Sequence, residues 1–346
     1  MREVILSIET SCDETSVAVV ADGREVLSNI IASQVDVHQV FGGVVPEIAS
    51  REHLGSIGFV VDQALSAAKL SLSDITAVAV TAGPGLVGSL LVGLCYAKGL
   101  AFGRRLPLVG VHHLEGHLYA NFLLPTPPTF PLVCLVVSGG HTDLIYMQRH
   151  GQFKLLGRTR DDAAGEAFDK IARALDLPYP GGPHLERLAA TGSPTIPFPR
   201  ARLEAGSLDF SFSGLKSAVL NHIHNSRQRG EELSPATVAA SFQAAVIDVL
   251  VEKSIEAALA TGVRNLCLAG GVSANKALRA SVGEAAKEHN LRMYLPDAGH
   301  CTDNAAMIGA AAYHRLRLGA IADFYLNAHA VLPLTNWAVD TVDNHP

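Results

Sequence analysis

A strand–polar turn–strand unit occurs twice in this chain at one fixed spacing. Residues 4–9 are an apolar run that reads as a strand. Thr10-Ser11-Cys12-Asp13-Glu14-Thr15 is a polar turn, and residues 16–20 alternate into a second strand. The turn Ala21-Asp22-Gly23 then leads to a third strand over residues 25–31. The same order returns with a strand at 131–137, the turn Ser138-Gly139-Gly140-His141-Thr142, a strand at 143–148 and then Arg149-His150-Gly151. Gly23 and Gly151 lie 128 residues apart (151 − 23). At that offset Leu6 aligns with Cys134, Ile8 with Val136, Val17 with Ile145 and Val19 with Met147, without a gap. A repeat of this length predicts two like halves. Tight polar turns present backbone N–H groups as anion nests, so a matched pair suits the phosphates of a nucleotide. Read singly, each is a hairpin whose Gly and Ser serve turn geometry.

The 346 residues suffice for two domains or one duplicated one, and 48% hydrophobic against 17% charged residues implies an extensive core. A net charge of −6 excludes a general polyanion binder, so any nucleic-acid contact needs a local patch or a partner. Arg51, Arg104, Arg105, Arg158, Arg160 and Lys216 are candidates for such a patch, and a solvated surface is the plain alternative for each. Five scattered cysteines without a C-x-x-C fit free thiols in a reducing compartment. The N-terminus has no signal-peptide pattern, and the apolar run 85–102 carries four glycines, Ser89 and Lys98. It reads as a buried helix packed through small residues, so the expectation is a soluble, cytoplasmic protein with no membrane contact.

His112-His113-Leu114-Glu115-Gly116-His117 follows a strand at 106–111 and opens a helix at 114–124. Residues four apart share a helical face, so His113 and His117 point together at chelating distance. The spacing alone does not choose between metal ligands and packing histidines. A helix over 47–69 carries Glu47 in its first turn, and Arg51 and His53 on it fit a solvated face. The Pro-rich stretch 124–128 reads as the linker between halves, and a helix over 161–175 contains Asp169. A rigid loop through Gly182 leads to a helix bearing Glu186, and a strand at 265–269 runs through Gly270-Gly271 towards Asn275. Asn275 suits a ribose or base contact and equally a helix cap. Thr302 and Asp303 are both good N-caps for a helix over 305–318, and Asp303 is equally a carboxylate to complete a His/His/Asp site. Residues 330–346 have no clear pattern.

The paired phosphate turns resemble the duplicated two-lobed actin/hexokinase/Hsp70-like (ASKHA) α/β fold. Seven blocks carry a closer resemblance: Ile8-Glu9-Thr10-Ser11-Cys12-Asp13-Glu14-Thr15-Ser16, Gly42-Gly43-Val44-Val45-Pro46-Glu47, His112-His113-Leu114-Glu115-Gly116-His117, Val137-Ser138-Gly139-Gly140-His141-Thr142, Ser211-Phe212-Ser213-Gly214-Leu215-Lys216, Gly270-Gly271-Val272-Ser273-Ala274-Asn275 and Cys301-Thr302-Asp303-Asn304. In order and content they resemble the signatures of the bacterial tRNA N6-adenosine threonylcarbamoyltransferases, the TsaD family. Phe41 departs from the tyrosine that many relatives carry there.

The resemblance implies an actin-like lobe at 1–128 with the helix 303–325 packed back onto it, a second lobe at 129–302, and a tail at 326–346. It implies transfer of the threonylcarbamoyl group from threonylcarbamoyl-adenylate to N6 of adenosine 37, with release of AMP, in tRNAs reading codons that begin with A. By motif, His113, His117 and Asp303 would hold one divalent metal, iron (Fe2+) with zinc (Zn2+) as substitute. Val136, Val137, Ser138, Gly139, Gly140, Asp169, Gly182 and Asn275 would hold the adenylate, with Glu186 an addition from proximity in sequence. Implied partners are tRNA, a paralogous actin-like subunit and a small P-loop ATPase. Asp13 and Glu14 are the candidates for proton handling. A zincin protease is the first rival, but it needs His-Glu-x-x-His, and here Glu115 falls one position late. A sugar kinase or ATPase of the same fold needs no His/His/Asp set, and a non-catalytic paralogue would lack it.

Overall fold

A computed structural model describes residues 2–201, 203–204 and 206–337. Two compact units emerge. Of the described residues, one takes those up to Phe130, the stretch Met147–Lys154 and those from Pro296 to Trp337; the other takes those within Pro131–Tyr146 and Leu155–Leu295. The divisions expected from the sequence are 128/129 and 302/303.

The first unit is built on β1 (Val4–Glu9), β2 (Glu14–Ala21), β3 (Glu25–Ser33), β4 (Ala77–Gly83) and β5 (Leu108–His112), in the order β3-β2-β1-β4-β5. β1 and β2 form an antiparallel hairpin, whereas β1–β4 and β4–β5 are parallel. Crossovers return through helices, as parallel pairing requires. A short helix α1 (Val35–Gln39), which the sequence does not suggest, precedes α2 (Pro46–Ala68), while α3 is Val87–Arg104 and α4 is His113–Ala120. Leu6, Ile8, Val78 and Val80 pack on Ile57, Val60, Val61 and Ala64 of α2 and Leu94, Ala97 and Ala101 of α3.

A second sheet, most of it in the second unit, repeats the plan with β6 (Leu132–Val137), β7 (Thr142–Arg149), β8 (Gln152–Arg158), β9 (Asn265–Ala269) and β10 (Arg292–Tyr294), in the order β10-β9-β6-β7-β8. β1 and β6, and likewise β2 and β7, match end to end at an offset of 128 (132 − 4 and 142 − 14). Read from the other edge, the second order becomes β8-β7-β6-β9-β10, the same sequence of strands as the first. The repeat is therefore structural. Its helices are α5 (Ala164–Ala174), α6 (Gly181–Ala189), α7 (Ser213–Arg229), α8 (Pro235–Thr261) and α9 (Lys276–Glu288). α8 supplies the largest share of this core, with Phe242, Val246 and Leu250 against Val133, Leu135, Leu266 and Leu268.

The last helix, α10 (Ala305–Arg317), belongs to the first unit and covers the sheet face opposite α2 and α3. Its small residues let it approach closely: a Cβ on Gly309 would stand 2.7 Å from a Val20 methyl and 2.9 Å from Ser7 Oγ. The sheet also anchors its start. Ser7 Oγ donates to Ala305 O at 2.7 Å, and Ser16 Oγ accepts from Ala305 N–H at 2.9 Å.

Three local readings change. His53, read with Arg51 as part of a solvated face, is fully buried, with Nδ1 2.7 Å from Thr15 Oγ1 and Nε2 3.0 Å from Cys12 O. The helix expected at 114–124 begins at His113 and tightens into a 3-10 turn at Asn121–Leu123. The stretch after α10, which lacks a sequence pattern, is tied down as far as Trp337. His329 N–H donates to Ala82 O, Gly85 N–H donates to Ala330 O, and Leu334–Trp337 forms a 3-10 turn. These are backbone bonds, which leave no periodic trace in side-chain type. Residues 338–346 lie outside the described residues. Among the described residues no helix is long and apolar enough to cross a membrane.

Candidate functional site

β5 runs directly into α4, and the three successive features there have distinct tasks. His112 caps the helix: its Nδ1 accepts from Leu114 N–H at 3.1 Å and its Nε2 donates to Leu332 O at 2.8 Å. Burial drives its imidazole down to about 3, so it is neutral. His113 and His117 follow one turn apart, with ring centroids 4.7 Å from each other at 83°. Asp303 arrives from the far end of the chain and sets Oδ1 3.6 Å from His113 Nε2 and 3.1 Å from His117 Nε2. Neither Asp303 nor Thr302 is the cap of α10. Asn304 takes that role, its side chain accepting from Met307 N–H at 3.1 Å, which leaves the Asp303 carboxylate to face the histidines.

The three ligand atoms lie within 4.8 Å of one another. Donors held about 2.1 Å from a common ion stand roughly 3–3.5 Å apart, so the set needs little adjustment. His117 carries the clearest mark of a cation site. Its side chain is fully buried, yet among the described residues Nδ1 has no hydrogen-bond partner and Nε2 faces only the Asp303 carboxylate, although buried polar atoms are normally satisfied. Acids crowd the same region. Burial lowers the His113 imidazole, but Asp303 and Glu9 outweigh it and bring it up to about 9. Burial, then the charges of Asp13 and Asp303, push the Glu14 carboxyl up to about 10. Carboxyl groups and imidazoles gathered this closely are the oxygen and nitrogen donors that suit a divalent cation.

Two features here were not assigned from sequence. Glu9, wholly buried at the end of β1, places Oε2 3.3 Å from His113 Nδ1. An acid closing an otherwise apolar strand was the available signal. The other is Arg315 on α10, whose Nη1 meets Glu115 Oε2 at 3.2 Å with both side chains largely buried. Its guanidinium also lies 5.1 Å from the Trp337 ring and donates to Trp337 O.

In the second unit, Val136 and Val137 are buried in β6 and offer only backbone to a ligand. Ser138 closes the next turn on itself: its N–H donates to His141 O, and its Oγ accepts from His141 N–H. Gly139 and Gly140 are exposed at the tip, with open space where a Cβ would stand. The start of α5 abuts this turn at Gly165, where a Cβ would lie 2.5 Å from Ser138 O. Asp169 Oδ1 accepts from Gly181 N–H at 2.8 Å and Gly182 N–H at 3.2 Å, fixing the start of α6. Glu186 on α6 accepts from Lys276 N–H at 2.7 Å, and Asn275 caps α9 by accepting from Leu278 N–H. Asn275 Nδ2 donates to Gln243 Oε1 at 2.8 Å. Asp169, Gly182, Glu186 and Asn275 are thus drawn into one neighbourhood of helix starts, where backbone N–H groups gather.

Residues 25–310 match the family described as TsaD: tRNA N6-adenosine threonylcarbamoyltransferase. The chain belongs to this family. A protein named tRNA N6-adenosine threonylcarbamoyltransferase from Geobacillus kaustophilus is 59% identical over 331 residues, covering 95% of this chain and 96% of the relative. One of the same name from Halalkalibacterium halodurans is 57% identical over 335 residues, 97% of each. Among solved structures, HypF from T. kodakarensis aligns with a TM-score of 0.63 at 13% identity, over 91% of this chain and 48% of that one. Component A of the Acidaminococcus fermentans (R)-2-hydroxyglutaryl-CoA dehydratase aligns with a TM-score of 0.51 at 14% identity, over 92% and 99%. These neighbours establish the actin-like ASKHA fold alone. Membership makes the chain a transferase of the tRNA threonylcarbamoyladenosine modification.

Glu115 bears on the protease alternative within this family. Its carboxylate is paired with Arg315 and is not part of the His113, His117 and Asp303 cluster, where a zincin would need it to activate water. Burial still pushes Glu115 up to about 7 against the pull of Arg315, as expected for a pair held inside the protein.

Proposed function

We propose that this member of the TsaD family moves the threonylcarbamoyl group from threonylcarbamoyl-adenylate to N6 of adenosine 37, releasing AMP, in tRNAs reading codons that begin with A. The observation carrying the reading is the convergence of His113, His117 and Asp303 from distant parts of a family member's chain, with His117 facing no other partner among the described residues. These three side chains would hold one divalent ion, Fe2+ with Zn2+ as substitute. When bound, the ion supplies a Lewis acid that polarises the carbamoyl carbonyl and steadies the oxyanion.

That help is needed because the lone pair of an adenine N6 is delocalised into the ring. The N6–C bond forms, the bond from carbon to the phosphate oxygen breaks, and one N6 proton departs. AMP is a good leaving group, so the reaction requires no covalent enzyme intermediate. The backbone of residues 136–140, with Asp169, Gly182, Asn275 and Glu186, holds the nucleotide half. Asp169 and Glu186 fix the starts of α6 and α9 beside it by accepting from the Gly181 and Lys276 N–H groups. Asp13 and Glu14, at the turn into β2, handle the departing proton. A paralogous actin-like subunit without this ligand set and a small P-loop ATPase complete the cytoplasmic machinery, and they contribute to tRNA docking by a chain whose own net charge is −6. The lobes follow the division at 128/129, with the segment 303–325, which contains α10, serving the first.

The test is transfer of labelled threonylcarbamoyl from the adenylate to a tRNA reading an A-initial codon, with and without the two partner proteins. Label should reach the tRNA only with partners, and a tRNA carrying G at position 37 should stay unlabelled. Intact ATP turnover without transfer, partners present, would favour a kinase or ATPase reading instead.

A further inference from the structure

The buried carboxylate of Glu9 meets hydrogen-bond donors on both oxygens. Oε1 accepts from the Ser11 backbone N–H at 2.5 Å, and Oε2 accepts the Thr81 hydroxyl of β4 at 2.5 Å. The same Oε2 lies 3.3 Å from His113 Nδ1, and Ser11 Oγ lies 3.1 Å from that nitrogen. A carboxylate only accepts, so in a ring that gives one nitrogen to a metal the nitrogen beside Glu9 is the one that carries hydrogen. The other nitrogen, Nε2, is the one that stands 3.6 Å from Asp303. Only with Nδ1 protonated does Nε2 keep a lone pair on the side of the ligands.

We propose that Glu9 is the positioning residue that selects the metal-binding tautomer of His113, and that metal affinity depends on it although it is not a ligand. This rests on the reading of His113, His117 and Asp303 as a metal site. Glutamine at position 9 separates charge and tautomer from shape. The Ser11 backbone N–H is fixed and demands an oxygen, so the glutamine NH2 is forced toward Thr81 and His113. The Thr81 hydroxyl can turn to accept, whereas His113 can accept only by moving its hydrogen to Nε2, which blocks the ligand atom.

The experiment strips the protein of metal and titrates Zn2+ against a competing chelator in the wild type, Glu9→Gln and Thr81→Val. It then reads the ring nitrogens of the zinc-loaded protein by 15N NMR, with His113 assigned by the loss of its signals in His113→Ala. We expect Nδ1–H and a zinc-bound Nε2 in the wild type, and a loss of roughly 10–100-fold in affinity for Glu9→Gln, the usual scale for such a partner. Thr81→Val, which leaves the carboxylate in place, should stay within about threefold of the wild type. Zinc on Nδ1 in the wild type overturns the proposal without any variant. A folded Glu9→Gln protein binding as tightly as the wild type overturns it while leaving the metal site standing. A wild type that takes up no zinc removes both.

Discussion

His314 of α10 and His150 of the β7–β8 turn stack with ring centroids 3.6 Å apart and planes 12° from parallel. They sit among Tyr119, Phe122 and Phe130, with Tyr119 Oη 3.0 Å from His150 Nδ1 and Tyr313 edge-on to His314. Burial, then the charge of His150, brings His314 down to about 3, and burial brings His150 down to about 4. Both rings are neutral in the folded protein at neutral pH. The unfolded chain protonates them near 6.5, so their contribution is complete above that value and is lost as pH falls from 6.5 toward the folded values. At about 1.4 kcal/mol per pH unit, bringing the pH from 8 to 5 costs about 2 kcal/mol through His314. His150 is more exposed, and solvent screening reduces its share to about 1 kcal/mol. His314→Phe keeps an aromatic ring in the stack and removes the titration. It should leave stability at pH 8 within about 1 kcal/mol of the wild type and be about 2 kcal/mol less sensitive to the change to pH 5. Urea unfolding followed by the single tryptophan, Trp337, reports this directly, because that ring packs on Arg315, the neighbour of His314. An equal pH dependence in wild type and His314→Phe would refute the reasoning.

Further substitutions separate the other contributions. Arg315→Met strands the fully buried Glu115, and unfolding midpoints should register a loss of about 3 kcal/mol or more, most of it restored in the Glu115→Gln/Arg315→Met double variant. Asn304→Ala removes the cap of α10 and should lower stability by about 1 kcal/mol in thermal melts. Gly270 has φ +86°, and a Cβ there would lie 2.4 Å from Val137 O, so Gly270→Ala should cost about 2–3 kcal/mol. Gly139→Ala, facing open space, should change stability by less than about 0.5 kcal/mol by the same melts.

Periodic and duplicated features are the ones legible in the amino-acid sequence. Apolar strands at a constant offset of 128 specify two sheets of one plan, and the four-residue spacing of His113 and His117 puts both on one face of α4. Single polar residues near a helix start are harder to read, because capping and ligation draw on the same residue types. Asn304 takes the cap that Thr302 or Asp303 is equally fit to take, and Asn275 caps α9. Glu9 carries no local signature of its task, which is set by β4 and α4, distant in sequence, meeting the end of β1. Residues 326–337 are held by backbone bonds and by the Arg315–Trp337 contact, which no local pattern announces. α1 and β10, at five and three residues, are too short for periodicity to register.

Metal dependence of the transfer itself tests the central claim most directly. Chelator-stripped protein, assembled with its partners, would be given threonylcarbamoyl-adenylate and tRNA under single-turnover conditions while Fe2+ is added in increments. The account predicts negligible transfer without metal, full recovery at one equivalent, and no recovery in His117→Ala at any equivalent. Transfer at an undiminished rate in the stripped protein, or in His117→Ala, would contradict it.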